Sequence, residues 1–373
     1  MSGFFIRHLT LSHFRSHKLC RMVIGDGRPV AIHGPNGAGK TNILEAVSLL
    51  SPGRGLRRAG ADDLARRPEV LGWKISATLR DPERDRDIET WAEPGCSRNV
   101  RIDGTPAMQA ELGRVLRILW LEPSMDRLWN GGAEGRRRFL DRVTLSLEPG
   151  HAEAVLTYEK AMRQRNRLLR DRVHDAHWYR ALEGRMAGAG AVIAANRRLA
   201  VATLSVAEGN AATHFPSARL EIAGPNGVEI PNETDALRDA LATSRPRDIA
   251  AGRSLVGPHR ADLAAVCMPR DTPARDCSTG EQKALLISLI LTNARALKDR
   301  IGVPPILLLD EVAAHLDADR RAALYDEICA LGSQTWMTGT GAELFAPLGA
   351  RASHVGVEET DGVSRVVTAS NPD

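Results

Sequence analysis

Gly34-Pro35-Asn36-Gly37-Ala38-Gly39-Lys40-Thr41 fits the phosphate-binding pattern G-x-x-x-x-G-K-[ST]. An apolar run, Val30-Ala31-Ile32, leads into it, and a helical pattern over residues 42–50 leads out. Strand, glycine loop and helix are the context that this motif needs. The glycines let successive backbone N–H groups curl around an anion without a Cβ in the way. The helix behind them turns its positive end toward the same anion. Gly34, Pro35, Asn36, Gly37, Ala38 and Gly39 are therefore expected to form a phosphate cradle. Lys40 is expected to reach the β- and γ-phosphates of a nucleotide, and the Thr41 hydroxyl to hold Mg2+. A glycine-rich turn that binds nothing is the alternative. The agreement of every motif position with both flanks weighs against it.

The chain has 373 residues, enough for two or three structural units. Its composition, 43% hydrophobic and 26% charged, is that of a folded chain and not of a disordered one. No apolar run approaches the ~18 residues of a membrane span. The opening residues lack the basic, apolar and small order of a signal peptide. A cytoplasmic protein with no membrane partner is the expectation. Cys20, Cys96, Cys267, Cys277 and Cys329 are scattered and odd in number, with no C-x-x-C pair, which favours reduced thiols over a zinc site. The net charge of +4 is unevenly placed. Between Arg136 and Arg198 there are 14 Lys+Arg and 7 Asp+Glu, a balance of +7, which leaves −3 for the rest of the chain. Such a basic segment predicts a polyanion partner.

Residues 4–11 read as a first strand, 12–18 as a turn and 19–24 as a second, short strand. His8, His13 and His17 read as surface residues, because their spacing fits no single metal-binding face. Residues 73–79, 88–91 and 99–102 alternate apolar and polar, as half-buried antiparallel strands do, with Asp103-Gly104 as a turn. Trp73 and Trp91 read as core residues. Residues 116–121 form a buried strand candidate, and 152–206 are helical. On the first helix there Val155, Tyr158, Met162, Leu169 and Val173 share an apolar face, on which Asn166 needs a buried partner. Lys160, Arg163, Arg167, Arg170 and His174 recur at steps of three and four and share a neighbouring face. A solvated basic face is the alternative to DNA there. The charge balance of the segment and the run Arg136-Arg137-Arg138 favour DNA contacts by Lys160, Arg163, Arg167 and Arg170. Residues 218–222 read as a strand and 223–250 as a polar link with a short helix.

Further on, Pro305-Ile-Leu-Leu-Leu-Asp310-Glu311 is an apolar run ending in two carboxylates. It reads as a Walker B strand, buried and parallel. Asp310 then orients Mg2+ and Glu311 accepts a proton from the attacking water. Just upstream, Ser278-Thr-Gly-Glu-Gln282 opens a helix, and Asp317 follows in Ala313-Ala-His-Leu-Asp317. This layout resembles the ABC ATPase head, with signature loop, Walker B, adjacent Glu and D-loop. The resemblance implies that Ser278 and Gly280 meet the γ-phosphate of ATP held by a second copy, so that the site is complete only in a dimer. It also assigns Asp317 to the nucleotide site.

About 240 residues separate the two halves of this site, more than in transporter ATPases and fewer than in SMC proteins. An intermediate, basic and largely helical insert resembles the RecF family of bacterial recombination mediators. Further motifs carry that resemblance: Leu9-Thr-Leu-Ser-His-Phe-Arg15, Val100-Arg-Ile-Asp-Gly104, Leu128-Trp-Asn-Gly-Gly132 leading to Arg137-Arg-Phe-Leu-Asp141, Arg163-Gln-Arg-Asn-Arg-Leu-Leu169 and Gly257-Pro-His-Arg-Ala-Asp-Leu263. It implies an α/β fold: an ABC-type P-loop ATPase head with a mostly helical second lobe. Residues 1–135 and 251–373 would form the head and 136–250 the basic lobe. It further implies ATP-dependent dimerisation on gapped DNA, slow hydrolysis serving release, and loading of RecA with RecO and RecR, in DNA repair, replication and the SOS response. Arg15 would lie near the nucleotide phosphates. Arg260 and Asp262 would either lie near the nucleotide or the dimer interface, or form a plain surface pair. The signature departs from the family at Glu281, where Gln is usual. No histidine stands at the switch position, where Thr338 or Thr340 takes its place, and no Q-loop glutamine stands near residues 120–124. Two other functions share the phosphate loop. One is the ATPase subunit of a membrane transporter, disfavoured by the basic insert. The other is a small-molecule kinase, disfavoured by signature and D-loop.

Overall fold

A computed structural model describes residues 3–69, 71–81, 83–209, 213–313 and 316–368. The chain forms two compact units, one of residues 1–126, 211–215 and 286–373, the other of residues 127–210 and 216–285. The first unit opens with β1 (Phe5–Phe14), β2 (His17–Val23), β3 (Val30–His33), α1 (Lys40–Ser48), β4 (Trp73–Arg80), β5 (Asp85–Ala92), β6 (Asn99–Ile102), β7 (Thr105–Ala107), α2 (Gln109–Val115) and β8 (Ile118–Leu121). The second holds α3 (Ala133–Leu147), α4 (His151–Arg170), α5 (Ala176–Gly209), β9 (Ala218–Ala223), α6 (Thr234–Ala251), β10 (Asp262–Cys267) and β11 (Thr272–Pro273). Then α7 (Thr279–Ile301) carries the chain from the second unit into the first. The first unit ends with β12 (Ile306–Leu309), α8 (Ala318–Leu331), β13 (Thr335–Gly339), β14 (Ser353–Thr360) and β15 (Val363–Thr368).

Two six-stranded sheets build the first unit. The antiparallel one runs β2-β1-β4-β5-β6-β7. Period two buries Trp73, Ile75, Ala77 and Leu79 on one face of β4. The other runs β15-β14-β3-β13-β12-β8, parallel except for β15. Its strand β12 is buried on every residue, which is why Ile306, Leu307, Leu308 and Leu309 read as an unbroken apolar run. The α/β head that the resemblance implied is thus the architecture found.

Several local expectations give way to tertiary contacts. Strand β1 runs to Phe14, so the turn shrinks to Arg15 and Ser16. Phe14 is anchored there by its pairing with His17 and by an edge-on contact with Trp73, ring centres 5.7 Å apart. His17 is not a surface residue; it is fully buried. Trp91 is only half-buried, with the Arg101 guanidinium 5.2 Å from its ring centre. The helix expected to be short, α6, spans 18 residues with Pro246 inside. Proline costs an isolated helix about 3 kcal/mol. Here Leu237 and Leu241 are fully buried among Tyr158, Met186 and Ile193, and that burial holds the helix through it.

The interior of the second unit is partly ionic. Arg165, with no exposed surface, donates to Glu183 at 3.1 Å, Asp248 at 2.7 Å, the Ser254 hydroxyl at 2.8 Å and the Leu241 carbonyl at 2.9 Å. Asn166 beside it accepts from the backbone N–H and hydroxyl of Ser254, both at 2.8 Å, and so has the partner that its place on the apolar face demands. The segment Gly257-Pro-His-Arg-Ala-Asp-Leu263 is a joint in this unit. His259 is bonded to the Tyr158 hydroxyl at 2.7 Å and to the Ser254 carbonyl at 3.0 Å. Asp262 takes a bidentate bond from Arg136, both arms 2.8 Å, so Arg260 and Asp262 are not a surface pair.

Candidate nucleotide site

The loop between β3 and α1 closes under steric constraints that only glycine meets. A Cβ on Gly34 would lie 2.1 Å from the Val357 carbonyl oxygen, and one on Gly39 would lie 2.3 Å from the Ser364 hydroxyl. Gly37 and Gly39 have φ of 85° and 99°, the left-handed region. Beneath the loop, the buried His17 places Nε2 3.1 Å from the Gly39 carbonyl, and burial lowers its pKa. Asn42 donates to the Ser16 hydroxyl at 2.7 Å, and Ser364 donates to the same oxygen at 2.6 Å. The β1–β2 turn and the β14–β15 hairpin thus brace the loop.

Lys40 is almost entirely buried. Its ammonium donates to the Gly34 and Pro35 carbonyls at 2.7 and 2.8 Å. Burial lowers its pKa, against the opposing pull of the Glu311 and Asp310 carboxylates. Asp310 emerges at the carboxyl end of β12. The Thr41 hydroxyl donates to its Oδ1 at 2.9 Å and the Thr338 hydroxyl at 2.7 Å. Burial raises the Asp310 pKa, and the two hydroxyl bonds oppose that rise. Glu311 follows with φ 54°, a strained value for a non-glycine residue, and its N–H is held by the Thr338 hydroxyl at 2.9 Å. Residues about 270 positions apart in sequence therefore meet at the carboxyl ends of parallel strands, where α/β sheets bind ligands.

The donor set suits Mg2+. Thr41 and Asp310 offer one hydroxyl and one carboxylate oxygen side by side, and no cluster of three His, Cys, Asp or Glu occurs among the described residues. A small hard cation that keeps several waters and takes phosphate oxygens fits such a pair.

Arg15 faces α1. It donates to both oxygens of Glu45, at 2.9 and 2.8 Å, and to the Asp63 carbonyl at 2.8 Å. Glu45, one helical turn beyond Thr41, has no exposed surface and also receives Arg57 at 3.5 Å. Arg57 in addition donates to the Asn42 side chain at 2.9 Å. Sequence reasoning put His17 at the surface and passed over Glu45 and Arg57. His17 is out of step with the buried Cys20 and Met22 of β2, and Glu45 shares its side of α1 with Thr41 and Asn42, so the pattern of neither marked a buried position. Asp317 caps α8, accepting from the Arg320 N–H at 2.8 Å. Ala314 and His315 of the D-loop segment lie outside the described residues.

In the second unit Ser278 precedes α7, and nothing lies within 4 Å of where a Cβ on Gly280 would stand. Gln282 is buried and donates to the Cys277 carbonyl at 2.9 Å. Lys160, Arg163, Arg167 and Arg170 are all exposed on α4. Arg163 pairs with Glu159 at 3.3 Å and Arg167 with Asp171 at 3.7 Å. The helix ends at Arg170, so His174 is not on that face. In the run Arg136-Arg137-Arg138, Arg136 is taken up by Asp262 and Arg137 donates to the Ala261 carbonyl, while Arg138 is exposed and pairs with Glu134.

Residues 5–362 match the family described as RecF/RecN/SMC N terminal domain. The DNA replication and repair protein RecF of Rhizobium rhizogenes is 47% identical over 358 residues, 93% of this chain and 95% of that one. RecF of Mesorhizobium japonicum is 45% identical, covering 95% of this chain and 96% of its own length. Among solved structures, the recombination mediator protein RecF with ATP, in the RecFOR pathway, superposes with a TM-score of 0.81 over 98% of this chain and 100% of that one, at 22% identity. An Smc head domain from Pyrococcus furiosus gives 0.56 over 98% of this chain and 96% of that one, at 20% identity.

Proposed function

Since the chain belongs to the RecF family, we propose that it is an ATP-gated, DNA-binding ATPase of replication and repair. The observation that carries this function is the convergence of Thr41, Asp310 and Thr338, with Glu311 next in sequence, beside the glycine loop. Mg2+ held by Thr41 and Asp310 would neutralise charge on the triphosphate. The backbone N–H groups of residues 36–41 and the Lys40 ammonium bind and orient the β- and γ-phosphates, the ammonium exchanging the Gly34 and Pro35 carbonyls for phosphate oxygens. Glu311 takes the proton of the attacking water. Turnover is slow and DNA-dependent, and it resets a switch.

ATP bound to one copy is capped by Ser278 and Gly280 of a second, and Asp317 belongs to the same composite site. The closed dimer holds gapped DNA through Lys160, Arg163, Arg167 and Arg170. Its partners are RecR and RecO, its product is a gap prepared for RecA, and its place is the cytoplasm. A transporter ATPase is the weaker reading. The relatives are named for DNA replication and repair. Lys40→Ala tests the nucleotide site: calorimetry should show ATP affinity reduced by at least a hundredfold with the thermal transition retained. Wild-type affinity in the folded variant would remove the basis of the assignment.

A further inference from the structure

The signature serine has two polar hydrogens to offer a phosphate, its backbone N–H and its hydroxyl. Both are in use. The Ser278 N–H donates to Glu281 Oε2 at 2.9 Å, and the Ser278 hydroxyl lies 2.9 Å from the same oxygen. The other carboxylate oxygen, Oε1, takes an ion pair from Arg270 at 2.5 Å. In return the Glu281 N–H lies 3.3 Å from the Ser278 hydroxyl oxygen. The Ser278 carbonyl accepts the first helical bond, from Gln282 at 2.8 Å, so the serine is the N-cap of α7. Reciprocal bonding between an N-cap serine and a glutamate three residues on is a capping box, which stabilises a helix start. Two features go beyond that role. One is the serine hydroxyl turned onto the carboxylate, and the other is the arginine that clamps the carboxylate from the far side. The anion at the positive end of this 23-residue helix is the protein's own.

We propose that Glu281, clamped by Arg270, occupies the place on Ser278 that the γ-phosphate of a second copy's ATP must take, and so sets the ATP concentration at which two copies close. This rests on the composite site proposed above. A carboxylate and a phosphate cannot both accept from one N–H and one O–H. Closing therefore requires Glu281 to leave the serine, which costs the cap its bonds and separates an ion pair. With glutamine at this position the competitor would be neutral, unattracted by Arg270 and more easily displaced.

The experiment is sedimentation velocity of the full chain over a range of ATP concentrations, for wild type, Glu281→Gln and Glu281→Ala, with ATP affinity of the monomer measured in parallel by calorimetry. The expected result is a midpoint for dimer formation shifted to about fivefold lower ATP in both variants, the size expected for one cap interaction, with monomer affinity unchanged. A wild type that dimerises with ATP and variants that share its midpoint, or need more ATP, overturn the role of Glu281 and leave the composite site standing. A wild type that stays monomeric at every ATP concentration overturns the composite site, and the role of Glu281 with it. Thermal melting of each variant reports the weakened cap separately.

Discussion

Arg165 shows how a single side chain can hold a unit together. Its guanidinium has no exposed surface and spans α4, α5 and α6 through Glu183, Asp248 and the Leu241 carbonyl. Removing Arg165 leaves Glu183 paired with Arg245 but strands the buried Asp248, and breaking a buried pair costs about 3–5 kcal/mol. Arg165→Met should lower the urea midpoint of the second unit accordingly, and an unchanged midpoint would mean that water reaches the cluster. His259 adds a pH dependence. Burial first, then the nearby charges of Arg260 and Arg137, push its pKa from 6.5 down to about 4, against the bond to Ser254. In that window only the unfolded chain takes up the proton. Stability is therefore full above pH 6.5 and falls as the pH drops toward 4, by up to about 3 kcal/mol. His259→Gln should flatten that acid limb in melting curves taken at successive pH values. Lys40, Thr41 and Asp310 were legible in the sequence because a motif fixes residue type and spacing together. Arg165 was not. Yet it lies on the apolar stripe, between Met162 and Leu169 at steps of three and four, and a charge there signals a buried partner.

At the scale of elements, the long apolar and alternating runs gave the strands and helices, and tertiary contacts moved their ends. Phe14 extends β1 because Trp73 waits for it, and α6 passes through Pro246 because Leu237 and Leu241 are buried. The basic balance of residues 136–198 was legible as a number but not as a surface. Arg136 and Arg165 spend their charge on Asp262 and Asp248, which lie outside the segment. Among the exposed cations that remain, Lys160, Arg163, Arg167 and Arg170 share one face of α4. If it carries DNA, replacing Arg163, Arg167 and Arg170 together by Ala should weaken binding for every sequence alike. The slope of log K against log salt should then fall by roughly 0.9 for each duplex phosphate that the variant no longer neutralises. Fluorescence anisotropy at several salt concentrations measures this. An unaltered slope places the DNA on another face.

At the scale of the whole molecule, the proposed function depends on a second copy. Glu311→Gln keeps the shape of the site and loses its base, so this variant should accumulate as an ATP-bound dimer in size exclusion. Ser278→Arg should bind ATP at wild-type affinity and stay monomeric, because the side chain fills the place of the partner's phosphate. A monomeric Glu311→Gln at saturating ATP would exclude the composite site. The sheet that carries the phosphate loop has a consequence for the birth of the protein. Val30 on β3 pairs with Trp336 on one side and Ser353 on the other. At about 5–20 residues per second a ribosome needs roughly 15–60 s to make the chain between Val30 and Trp336. For that time the first strand of the loop is outside the exit tunnel with both edges bare, while all of the second unit is synthesised. A nascent chain stalled at Ser333, with the second unit clear of the tunnel and β13 not yet made, should therefore resist protease over residues 127–210 and 216–285 and be cut around Val30.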